Sequence, residues 1–157
     1  MKIFNKIYLF AVFISIAFTV SCGGGDKEMP KDNEQAGQKQ ETVNPMEDKG
    51  IGPVKEIKLD STIDEAMAAE GKKLYQEKCT ACHNEYHKVI GPAQAGVLKR
   101  RTPEWVMNMM LNPTDMTSND PVARQLLSKY GTQMTNQKLT QDEARKILEY
   151  FRTLKEQ

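Results

Sequence analysis

GKKLYQEKCTACH, residues 71–83, runs from a helical pattern straight into Cys79, Cys82 and His83 in the order Cys-x-x-Cys-His. Two thiols three positions apart can each form a thioether to one vinyl group of the same porphyrin, while the adjacent imidazole reaches the iron from one face. The stretch therefore predicts one covalently attached haem, haem c, held by Cys79, Cys82 and His83. Five residues can arise by chance, so the flanking sequence has to supply a fold able to enclose a porphyrin.

Upstream, Ile63, Ala66, Met67, Glu70, Gly71, Leu74, Tyr75 and Lys78 recur turn by turn. Ser61 with Asp64, or Thr62 with Glu65, offers a capping box, so a helix is expected from about Ile63 to Lys78. Downstream, Thr102-Pro103 is an N-cap and first-turn pair, and the helix it opens runs through Trp105, Val106, Met109 and Met110 until Asn112-Pro113 stops it. Asp120-Pro121 repeats the start signal and Gly131 after Tyr130 is a C-terminal cap, which gives a helix from about Pro121 to Tyr130. Thr140 and Glu143 form a capping box, after which Ala144, Ile147, Leu148, Phe151 and Leu154 follow helical spacing. No stretch alternates in a way that demands a strand, and there is no internal repeat. Residues 61–157 thus read as one all-α domain, small enough that a buried porphyrin would form a large share of its core.

The N-terminus carries Lys2 and Lys6 followed by an apolar stretch from Ile7 to Val20, too short for a spanning helix of about 20 residues. It reads as a secretory signal. Thr19, Val20 and Ser21 before Cys22 resemble the small-residue box of bacterial lipoproteins, whose cysteine is lipidated and becomes the first mature residue; ordinary cleavage nearby, leaving a free thiol, is the alternative. The expected boundaries are a signal peptide over 1–21, a flexible tether over 22–60 and the helical domain over 61–157. The tether is polar and holds Pro30, Pro45 and Pro53 with almost no large apolar side chains, so on this reading it buries too little to offset its ordering entropy. As a coil it would span about 30–35 Å and let the domain swing between membrane partners. A spacer with no mechanical role would look the same.

From about Glu65 to Leu154 the chain resembles the class I cytochrome c family: a first helix with Gly71 and Tyr75, the haem motif, Gly91-Pro92, an aromatic-bearing middle helix, a methionine loop, and a last helix with Tyr150 and Phe151. The resemblance implies that the carbonyl of Pro92 accepts a hydrogen bond from the proximal histidine, here His83, and that a methionine before the last helix is the second axial ligand. Met134 stands there, with Thr135 where that family usually has proline. Met116 is a loop competitor, while His87 sits too close to His83 in sequence to reach the opposite porphyrin face. Gly71 with Tyr150 and Phe151 matches the family's helix crossing, a packing feature on any reading. Arg100, Arg101 and Trp105 are candidate donors to the haem propionates; a solvated face for the arginines and a core position for Trp105 are the alternatives. Haem attachment in that family happens outside the cytoplasm, in agreement with an export signal.

These features predict a membrane-tethered carrier of single electrons, exported to the periplasm, anchored through Cys22, and feeding a respiratory terminal reductase or oxidase through redox partner proteins. Methionine ligation, which raises the potential relative to a harder ligand, suits that role. Removing residues 1–21 takes away two lysines and no acid, so the formal charge falls from +1 to −1, which is no basic footprint for nucleic acid. No small-molecule substrate is expected. The competing class is a haem enzyme or ligand sensor with an open sixth position. Helical-bundle cytochromes of that kind carry the motif near the C-terminus, whereas 74 residues follow it here. A thiol oxidoreductase would need strand–helix alternation that is missing, and a zinc site would crowd Cys79, Cys82, His83 and His87 into nine residues.

Overall fold

The computed structural model describes residues 43–156. The expected signal peptide, Cys22 and the first part of the expected tether lie outside the described residues. Five helices follow in order: α1 Glu65–Lys78, α2 Pro103–Leu111, α3 Pro113–Asn119, α4 Pro121–Tyr130 and α5 Gln141–Thr153, with a 3₁₀ turn over Val97–Lys99. There is no strand among the described residues, as an all-α reading requires.

α1 and α5 cross where Gly71 meets the backbone of α5. A Cβ on Gly71 would lie within bonding range of the Lys146 carbonyl oxygen, so only hydrogen can occupy this point. Beside the crossing, Tyr75 packs against Tyr150 with ring centroids 5.6 Å apart and edge-on against Phe151 at 5.7 Å. Glu149, only 1% exposed, is held between Arg145 and Arg152 at 2.5 Å each and accepts the Asp64 N–H at 2.9 Å. Burial works against its charge, but the Asp64 N–H and the two guanidiniums outweigh it and keep the carboxyl below its ordinary value. That bond also explains a shift in the helix start. The N-cap of α1 is Asp64, accepting the Met67 N–H at 2.9 Å, not Ser61 or Thr62, because the chain is pinned to α5 at residue 64 before it begins to coil.

The entries to α2, α4 and α5 fall where their caps predict. Thr102 accepts the Trp105 N–H, Asp120 accepts the Ala123 N–H, and Thr140 with Glu143 completes a capping box. Gly131 closes α4 at φ 66°. α3 differs from expectation. Asn112-Pro113 does stop α2, but Pro113 then opens a further helix, since a proline costs nothing at a first-turn position whose N–H has no partner anyway. Met116 consequently sits on a helix and not in a loop, fully buried, with its sulfur accepting the Ile51 N–H at 3.0 Å.

The expected tether is corrected at its C-terminal end. Residues 48–57 form a strap laid along α2 and α3. Asn108 accepts the Val54 N–H at 2.9 Å and donates to the carbonyls of Lys49 and Val54 at 2.9 and 2.8 Å. Thr102 donates to the Asp48 carbonyl, Glu104 accepts the Ile57 N–H, and Val54 is 6% exposed. The strap buries little apolar surface of its own; polar side chains on α2 satisfy its backbone instead.

Candidate haem cavity

A cavity of about 490 Å³ opens between the loop after α1 and the faces of α2, α4 and the 131–137 loop. Cys79, Cys82 and His83 line it, as do Pro92, Trp105 and Met134, so all six cofactor residues expected from the sequence border one space. Val106, Met109, Met110, Leu126 and Phe151 make much of the rest apolar. Met116 does not line it, its sulfur being engaged by the strap, and His87 is exposed on the outer loop and away from the lining.

His83 is oriented from behind. Its Nδ1 lies 3.0 Å from the carbonyl oxygen of Pro92, which can only accept, and in the tautomer with the proton on Nδ1 that bond forms and Nε2 keeps its lone pair. Gly91 makes this approach possible. Its N–H donates to the Cys82 carbonyl at 2.8 Å, closing the loop, and a Cβ there would collide with His83 Cε1. The amide nitrogen of Gln94 lies 2.7 Å from Nδ1 and 3.0 Å from the Pro92 oxygen. Nothing in the spacing around Pro92 singles out Gln94; only the folded loop brings its side chain to the imidazole.

Burial pushes the Cys79 thiol up to about 11, with Lys78 pulling it down and Cys82 adding to the rise. A thiol of that kind is protonated at neutral pH, the opposite of the activated thiolate of a Cys-x-x-Cys oxidoreductase. Among the described residues, no group of three or more His, Cys, Asp or Glu side chains could hold a metal ion.

Trp105 borders the cavity differently from the sequence expectation. Its indole N–H donates to Asp120 at 3.2 Å, so it offers the cavity a ring wall, and its donor is spent inside the protein. Arg100 donates to the carbonyls of Ala95 and Ala93, bracing the loop that carries them. Arg101 stacks its guanidinium over Trp105 at 5.2 Å. Among the described residues, two polar atoms of cavity-lining side chains, Tyr75 Oη and Arg101 Nε, are buried without a hydrogen-bond partner. Orphaned donors beside an apolar space, two thiols on its wall and an imidazole with a free Nε2 fit a porphyrin that carries vinyl groups, an iron and carboxylates.

Comparison with known proteins agrees. The family model described as Cytochrome c matches residues 68–155. The chain belongs to the cytochrome c family. It is a class I monohaem c-type cytochrome, a haem electron carrier whose Cys79 and Cys82 fit the attachment motif for covalent haem c. Among solved structures, cytochrome c from Rhodothermus marinus is 48% identical with a TM-score of 0.64, covering 66% of this chain and 89% of that one. An engineered form of the same cytochrome, Rma TDE, is 47% identical with a TM-score of 0.64, covering 66% of this chain and 90% of that one. A second structure of that engineered form, bound to a carbene intermediate, is 47% identical with a TM-score of 0.62 and covers 66% and 89% of the two chains. No match is found among curated proteins. As in the rest of the family, redox partner proteins are implied.

Proposed function

We propose that this cytochrome carries single electrons with His83 and Met134 as axial ligands, exported and held at a membrane by lipidated Cys22, and that it feeds a respiratory terminal reductase or oxidase. The observation that carries the axial assignment is that His83, with Nδ1 committed to Pro92, and Met134 border one cavity while Met116 and His87 do not. When bound, haem c supplies a one-electron ferric/ferrous couple. The protein's part is to keep that couple from doing anything else. His83 would be held in a fixed tautomer by Pro92, the thioether of Met134 would be the second ligand to the iron, and the apolar walls from α2 and α4 would keep bulk water away. Electron transfer then requires no bond to form or break.

Membrane attachment rests on the lysine-flanked apolar leader that ends at Cys22. No described helix is long and apolar enough to cross a membrane. A lipid on Cys22 would raise the local concentration of a partner in the same membrane, which suits the small transient contacts of redox encounters.

Visible spectra of the haem-loaded protein and of Met134→Ala test the axial reading. The wild type is expected to be low-spin, slow to bind carbon monoxide, and to show the weak ferric charge-transfer band that reports iron–sulfur ligation; the variant loses that band. A wild type that is high-spin and binds carbon monoxide readily would replace the carrier with an open-site enzyme or sensor. For the anchor, Cys22→Ser is expected to abolish labelling by a radioactive fatty acid and to release the protein from membranes, and unchanged membrane retention would count against the lipid.

A further inference from the structure

Among the described residues, Gln94 is the one side chain within hydrogen-bond distance of the His83 ring, beside the backbone carbonyl of Pro92. It is 8% exposed, and its backbone is tied down, its N–H donating to the carbonyls of Asn84 and Glu85 at 3.2 and 3.1 Å while the Ala95 N–H donates to Glu85 at 2.7 Å. The side-chain amide is therefore delivered to the imidazole by a fixed loop. Resting on the reading of His83 as an iron ligand, Nδ1 must carry its proton and seek an acceptor. The Gln94 amide nitrogen is a donor only and cannot be that acceptor, although it stands 2.7 Å away. Both groups instead converge on the same oxygen. His83 Nδ1 and Gln94 Nε2 each lie 3.0 Å from the Pro92 carbonyl oxygen and 2.7 Å from each other, so they approach it from the same side and cannot both donate to it at full strength.

A carbonyl that already accepts one donor accepts a second less strongly, so Gln94 weakens the hydrogen bond that makes His83 basic. A less basic imidazole stabilises ferric iron less than ferrous. We propose that Gln94 is a positioning residue that competes with His83 for the Pro92 carbonyl and thereby sets the reduction potential higher than Pro92 alone would.

The test is a spectroelectrochemical titration of the full-length haem-loaded protein, wild type against Gln94→Leu and Gln94→Glu. Gln94→Leu removes the competing donor without replacing it and is expected to shift the equilibrium toward the ferric form by about threefold to tenfold, tenfold corresponding to about 59 mV for a one-electron couple. Gln94→Glu removes the donor and adds an acceptor facing Nδ1, and is expected to shift it further in the same direction. The Nδ1 proton resonance of the reduced protein should move downfield in both, a response that a purely packing role would not produce. Potentials unmoved in both variants would overturn the proposal, and so would a rise in Gln94→Leu, which would place the amide oxygen against Nδ1. If Gln94→Leu does not take up haem, Gln94→Met, which also lacks the donor and adds no charge, takes its place with the same expected sign. The iron–sulfur band separates the two levels of the argument. A wild type lacking it refutes the axial reading, whereas a band retained in every protein with the potential unchanged refutes the role of Gln94 only.

Discussion

Replacing Asn108 with alanine tests whether the strap is part of the folded domain. Asn108 is wholly buried and makes three hydrogen bonds to the strap, one accepted from Val54 and two donated to Lys49 and Val54. At about 1 kcal/mol net for each, their loss costs about 3 kcal/mol. The strap's backbone groups regain water once it peels away, so the larger penalty for trapped unsatisfied groups does not add to this. The cost should appear in urea unfolding of the haem-loaded protein as a lower midpoint, together with faster amide exchange at Val54. A second background isolates the cause. In a chain beginning at Asp60 the partners of Asn108 are absent, so Asn108→Ala should there cost close to nothing, and the difference between the two backgrounds is the coupling of the side chain to the strap. A cost below about 1 kcal/mol in the full chain, or an equal cost in both backgrounds, would refute the picture of a strap bound through Asn108.

The cavity and its borders yield further expectations. Gly91→Ala sets a methyl group against His83 Cε1, so the ring must tilt away and its bond to Pro92 must lengthen; a higher midpoint potential by redox titration is expected, with weaker low-spin bands. Asp120 has its carboxyl held above the ordinary value, first by burial, with the Ala123 N–H pulling it down and Asp48 pushing it up. A carboxyl whose folded value is raised favours folding when protonated, so its contribution is full below the unfolded value near about 3.9 and is lost as pH rises through the folded value. Asp120→Asn keeps an oxygen for Ala123 and Trp105 and removes the charge, so unfolding free energies measured across that range should lose this decline, with the variant at least as stable as wild type at neutral pH.

What the sequence made legible is local. The thioether motif and the entries to α2, α4 and α5 each depend on residues within a few positions of one another, and each stands where expected. The crossing at Gly71 and the hydrogen bond from His83 to Pro92 were legible through the resemblance to the cytochrome c family, not from spacing alone. What escaped was polar and distant. Asn108 reaches back 54 positions to Val54, Met116 reaches 65 to Ile51, and Trp105 spends its donor on Asp120. A low-hydropathy stretch looks unable to fold when only its own apolar surface is counted, yet residues 48–57 are ordered because α2 supplies the missing hydrogen bonds. α3 was missed for a related reason: the same proline that ends one helix is suited to begin the next, and the sequence does not say which use will follow.

The Pro92 carbonyl ties the remaining threads together, because two neighbours bear on it with opposite effects. Gly91 permits the imidazole to come within 3.0 Å, and Gln94 approaches the same oxygen from the same side at 3.0 Å. Gly91→Ala weakens the histidine's hydrogen bond by distance, while Gln94→Leu strengthens it by removing a rival, so the two substitutions should move the potential in opposite directions. If both work through this single bond they cannot be additive. Once the ring has been pushed out of reach of Pro92, freeing the carbonyl of Gln94 has nothing left to strengthen, and the double variant should keep the raised potential of Gly91→Ala. Additive shifts would mean that Gly91 and Gln94 act by separate routes, for instance through cavity polarity, and would detach Gln94 from the histidine.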